Sequence, residues 1–132
     1  MNEPQGKFEA YQATRGLRGK RVIVPDVEDL VDELAGAIFA AATQRTAQAG
    51  AFHLALSGGR SPEVLFRRLM LDPRYRLLPW DRTHLWLVDD RCVPADDPRS
   101  NSTMIREFIV DHVTMEPDQF HPMPVMEPDG DR

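Results

Sequence analysis

Two short segments of this chain carry side chains able to do chemistry in places where an α/β protein could use them. The first is Ser57-Gly58-Gly59-Arg60-Ser61-Pro62. Its glycines allow a tight turn and let a ligand approach the main-chain amides. Ser61 is a helix N-cap type and Pro62 a first-position type. The segment is therefore expected to end in a helix N-terminus, with unpaired N–H donors and partial positive charge. Two hydroxyls and the Arg60 guanidinium complete a set that suits a phosphate monoester. A plainer reading uses the same residues: the glycines make a turn, and Ser61-Pro62 merely starts a helix.

The second segment is Asp89-Asp90-Arg91-Cys92-Val93-Pro94. Two carboxylates and a guanidinium at the end of a buried strand are costly unless they pair or bind something. Adjacent carboxylates move each other's pKa, which suits proton transfer or charge stabilisation. The alternative is an Asp–Arg bridge that only braces the loop. Asp96 and Asp97 read as solvated turn residues, and Ser100 or Asn101 as the cap of the next helix. Cys92 has no base near it in sequence, which argues against a nucleophilic role. His53, His84, His112 and His121 show no metal-ligand spacing on one face, so no metal site is expected.

Elements must hold these segments in place. Arg21-Val22-Ile23-Val24-Pro25 is a short apolar run stopped by proline, which predicts a strand. Asp26 caps a helix with Val27, Leu30, Val31, Leu34 and Ile38 at helical spacing, ending near Ala49 with Gly50 as its stop. Phe52–Leu56 predicts a strand that runs into the glycine segment. Val64, Leu65 and Leu69 then form the stripe of a second helix. Leu85–Val88 is apolar at successive positions, the pattern of a strand covered on both faces. A third helix is expected over about 101–112, burying Met104, Ile105, Phe108 and Ile109. A last extended piece is expected around 121–125.

Alternating strands and helices predict βαβ units and a parallel sheet, whose ligands bind outside the strands' carboxyl ends. Both chemically capable segments sit at such ends. Residues 1–20 read as a flexible arm. The 132 residues suffice for one domain with a buried core. With 16 basic and 21 acidic residues, net charge −5, the chain does not suit nucleic acid or an anionic membrane. One cysteine cannot form an internal disulfide. Met1–Gln5 lacks the pattern of a signal peptide, and no apolar run approaches the ~18 residues of a membrane span. A cytoplasmic location is expected.

Three stretches together resemble the 6-phosphogluconolactonase family: His53–Pro62, His84–Pro94 and Asp97–Asn101. With Phe120-His121-Pro122-Met123-Pro124-Val125, the resemblance extends over about residues 20–126. It is strongest to the lactonase domain of bifunctional hexose-6-phosphate dehydrogenase/lactonase proteins. Glucosamine-6-phosphate deaminases belong to the same superfamily. The resemblance implies a three-layer α/β/α, Rossmann-like parallel sheet that hydrolyses 6-phosphogluconolactone without a cofactor, in the oxidative pentose phosphate pathway. It implies that Ser57, Gly58, Gly59, Arg60 and Ser61 cradle the substrate. Asp90 and Arg91 would line the site, and Asp89 would take a supporting catalytic part. Two departures stand out, Asp90 where the family usually has Glu and Arg60 where it often has Ser or Thr. The family's general-base histidine lies in a downstream Gly-Asp-Gly-His motif that these residues do not contain. Residues 21–132 are therefore expected to be the N-terminal part of such a domain, stopping after three or four strands. The other readings are an amino-sugar-phosphate isomerase or deaminase, and a non-catalytic phosphosugar-binding protein. Self-association through an exposed sheet edge is also expected.

Overall fold

The computed structural model describes residues 18–125. Nearly all of the expected flexible arm, and the stretch from 126 onward, lie outside the described residues. Helix α1 spans Val27–Ala49. Asp26 caps it by accepting the Asp29 N–H at 2.8 Å, and Gly50 ends it at φ 79°, a left-handed backbone that glycine takes without a Cβ penalty. The buried stripe is Val31, Ala35, Ile38 and Ala42, which keeps Val31 and Ile38 of the residues that marked this helix in the sequence and adds two alanines. Val27, Leu30 and Leu34 are exposed instead. Two alanines on the inner face let α1 approach its neighbours closely.

The sheet has three parallel strands in the order β1-β2-β3. They are β1 Phe52–Leu56, β2 Thr83–Leu87 and β3 Phe120–His121. Helix α2 (Arg60–Leu71) crosses from β1 to β2, and α3 (Asn101–Phe108) lies between β2 and β3. Both crossovers step in the same direction, so right-handed connections place α2 and α3 on one face. There they meet α1 in a single core containing Phe66, Leu85, Ile105 and Ile109, all fully buried. Gln119 ties β3 to β2: its Nε2 donates to the carbonyls of Trp80 and Thr83, at 3.0 and 2.7 Å. This is the α/β, Rossmann-like sheet that was expected, and the described residues contribute the sheet and one helical layer.

Three local expectations need correction. Residues 21–25 form no strand; Val22 and Ile23 are 52% and 56% exposed. A strand exists only by pairing in a ladder, and residues 22–25 join no strand ladder among the described residues. β2 is covered on one face rather than both, because Leu85 and Leu87 are buried while Trp86 is 41% exposed. The third helix gives way after Phe108, with Val110–His112 as a separate 3₁₀ turn.

The open face of the sheet carries a row of rings. His53 stacks on His84 and His84 on His121, with centroids 4.8 and 5.3 Å apart. Trp86 lies flat on His121 at 3.7 Å, and its Nε1 donates to His53 Nδ1 at 3.0 Å. Each imidazole comes from a different strand, so their adjacency cannot be read from linear spacing. Among the described residues, no group of three His, Cys, Asp or Glu is arranged to hold a metal ion.

Candidate functional site

The two segments meet at the carboxyl ends of β1 and β2. These strands pair in register through Leu56 and Leu87, and the Val88 N–H continues the ladder to the Leu56 carbonyl at 3.0 Å. The chain then leaves both strands together, and Ser57 Oγ donates to Asp89 Oδ1 at 2.7 Å.

The glycines have different jobs. Gly59 is the N-cap residue of α2 at φ 101°, a conformation side-chain-bearing residues rarely adopt. Gly58 has an ordinary backbone but no space: a Cβ there would collide with the Asn101 side chain, 2.6 Å from its Cγ. Helix α2 therefore starts earlier than the residue types predict. Ser61 is its second residue, exposed and making no side-chain cap, and Pro62 its third. Proline is tolerated there because first-turn N–H groups have no intrahelical partner. The Gly59 N–H points to Met104 Sδ at 3.3 Å, a weak acceptor that an anion would outcompete.

Asp89 and Asp90 do not act as a carboxylate pair, because they serve different partners. Asp90 receives the N–H groups of Arg91 and Asn101 on Oδ1, both at 2.7 Å. Its Oδ2 accepts from Ser100 Oγ, Ser102 N and Ser102 Oγ at 3.0, 3.1 and 2.9 Å. Burial pushes its pKa up, but the hydrogen bonds from Asn101, Ser102 and Arg91 outweigh that and hold it below the usual carboxylate range. Asp90 thus reinforces the N-terminus of α3, where Ser100 is the cap. Among the described residues Arg91 makes no ion pair with a carboxylate; its Nη1 donates to Asn101 Oδ1. The loop's salt bridge is Arg99–Asp97, at 2.9 Å. Asp97 is drawn down to about 2 by Arg99's side-chain and backbone hydrogen bonds.

Gly59, Arg60, Arg91, Arg99 and Asn101 border a cleft of about 550 Å³ between α2 and α3. Ser57 and Asp89 are joined at the strand ends, and Asp90 faces α3. No histidine borders this cleft. The sequence reading gave Asn101 only a capping role and passed over Arg99. The junction at Asn101 had one available signal, a glycine pair opposite an Asn at a helix start. The arrangement offers guanidinium groups and a helix N-terminus to an anion, with a hydroxyl–carboxylate pair beside them.

Fold and site together define an α/β domain with two polar loops that meet at adjacent strand ends. The profile of glucosamine-6-phosphate isomerases/6-phosphogluconolactonase matches residues 25–131, and the chain belongs to that family. It is 47% identical over 98 residues to the GDH/6PGL endoplasmic bifunctional protein of Oryctolagus cuniculus, covering 74% of this chain and 12% of that protein. It is 36% identical over 69 residues to 6-phosphogluconolactonase of Haemophilus influenzae, covering 52% of this chain and 30% of the relative. The crystal structure of 6-phosphogluconolactonase from Thermotoga maritima superimposes with a TM-score of 0.64 at 26% identity, over 74% of this chain and 43% of that one. The chain thus spans less than half the length of these relatives.

Proposed function

We propose that this chain supplies the substrate-binding half of a site that hydrolyses 6-phosphogluconolactone to 6-phosphogluconate. The observation that carries the reading is the junction of the Ser57–Gly59 turn with the Asp89–Arg91 loop, beside a cleft with Arg60 and Arg91 on its border. In this reading the phosphate lies against Arg60, Arg91 and the first turn of α2, where charge and unpaired N–H groups favour a dianion. Ser57, Gly58, Gly59 and Ser61 shape the approach to the sugar. Asp89, fixed by Ser57, orients sugar hydroxyls, and Asp90 supports the site by anchoring α3. Attack of water on the lactone carbonyl needs a base titrating near neutral pH. The family's histidine motif is the natural source, since no imidazole of the described residues reaches the cleft.

The partner is a small phosphosugar rather than nucleic acid, given the net charge of −5. Among the described residues no helix is long and apolar enough to cross a membrane. A single exposed cysteine fits a reducing compartment such as the cytoplasm.

Titration with 6-phosphogluconate should show binding by this chain, weakened about ten-fold or more in Arg91→Ala, as expected for a lost charge-assisted contact. Residues 1–132 alone should hydrolyse the lactone no faster than its spontaneous rate. A polypeptide in which this chain is followed by a Gly-Asp-Gly-His segment of the family fold should exceed that rate. Turnover of glucosamine 6-phosphate instead would move the assignment to the isomerase branch. Binding without any turnover would leave a phosphosugar-binding protein.

A further inference from the structure

We infer that Asn101 is the positioning residue of this site: it fixes the direction in which Arg91 presents its guanidinium and locks the two ligand loops together. The inference rests on the reading of the cleft as a phosphosugar site. Arg91 stands on a loop outside any helix or strand, and its side chain is exposed. Such a side chain, left free, samples many rotamers and loses that freedom on binding an anion. Asn101 removes much of the freedom beforehand. It is 2% exposed, and its Oδ1 accepts one Arg91 N–H. The other guanidinium donors remain available on the border of the cleft.

The amide can perform this role because its own orientation is determined from three sides. Its Nδ2 donates to the Asp89 carbonyl at 3.1 Å, so the oxygen, not the nitrogen, faces Arg91. Its backbone N–H is held by Asp90. Gly58 packs so closely on it that no larger residue fits there. One buried side chain thereby touches the Ser57–Gly59 turn and both ends of the Asp89–Arg91 loop. A residue serving only to start α3 needs none of these contacts, because Ser100 and Asp90 already cap that helix.

The test measures 6-phosphogluconate and inorganic phosphate binding by the chain, together with the Arg91 Nε–Hε resonance in NMR. Asn101→Ala should raise the dissociation constant about ten-fold or more and move the Arg91 resonance toward its free-arginine position. Asn101→Asp, with nearly unchanged volume, should also weaken binding, since it sets an oxygen against the Asp89 carbonyl and its charge engages Arg91, while the Arg91 resonance stays away from the free-arginine position. It carries the test if the alanine variant does not fold. If Asn101 acts through Arg91, adding Asn101→Ala to Arg91→Ala should cost no further affinity. A lowered melting temperature with unchanged affinity and an unchanged Arg91 resonance would overturn the inference, as would losses that simply add. If the wild-type chain binds neither probe, the phosphosugar reading fails, while the resonance still decides whether Asn101 orients Arg91.

Discussion

Asp90 departs from the glutamate usual in the family, and its surroundings give the shorter side chain a reason. A carboxylate gathering five donors at the first turn of α3 must sit close to the helix axis, and Asp reaches there with one carbon fewer. Its depressed pKa has a consequence for stability. A group whose folded-state pKa lies below its unfolded value stabilises the fold above the unfolded value, near 3.9 for Asp, and that contribution is lost as pH falls through the folded value. Asp72 and Asp97, each drawn to about 2 by a neighbouring arginine, act in the same direction but are solvent-screened. Unfolding by urea should therefore show stability level from pH 7 to about 5 and falling below about 4. Asp90→Asn should cost about 1 kcal/mol or more at pH 7, the penalty for disturbing satisfied, partly buried hydrogen bonds, and should flatten the acid limb. An equally steep acid limb in that variant would count against this account.

The start of each helix tests how residue types become caps. By type, Ser61 and Ser100 are equally good N-caps, yet only Ser100 is used: its Oγ accepts the Ser102 N–H at 3.1 Å. At α2 the left-handed backbone of Gly59 turns the chain into the helix two residues early, leaving Ser61 outside the cap position. Ser100→Ala should then destabilise the chain by about 1 kcal/mol. Ser61→Ala should stay within about 0.5 kcal/mol, as for a surface substitution. Denaturant midpoints of the two variants decide it, and equal losses would mean that α2 is capped by its serine after all. The shape of α1 has a similar cause. Of the stripe marked by helical spacing, Val31 and Ile38 pack while Val27, Leu30 and Leu34 do not, because the face that packs is the one whose alanines allow close approach.

As a whole, the described chain exposes large hydrophobic side chains on two faces. One is the ring-bearing face of the sheet around Trp86, and the other runs along Val22, Ile23, Val27, Leu30 and Leu34, each 45–60% exposed. Contiguous apolar surface beside unpaired strand edges favours association. We expect the chain in isolation to self-associate, with a mass in sedimentation equilibrium that rises with concentration. Trp86→Glu should shift it toward monomer. A wild-type monomer at every concentration, or an unchanged assembly in the variant, would show that the sheet face is not the contact.

The sequence alone determined the alternation of elements, the first strand to the residue and the positions of the other two, the caps at Asp26 and Gly50, and the two segments at strand ends that meet in the structure. These follow from local causes, since periodicity, β-branching, glycine and capping chemistry act within a few residues of chain. Only the tertiary structure decided what depends on partners distant in sequence. It gave residues 21–25 no strand structure, which propensity could not foresee because a strand is made by its neighbour. It split Asp89 from Asp90, giving one to Ser57 across the sheet and the other to α3. It made Gly58 a matter of room for Asn101 rather than of turn geometry, and it set three histidines side by side from three strands. Each of these depends on which side chains the parallel register brings within hydrogen-bonding or van der Waals distance, a relation between remote segments that no local pattern encodes.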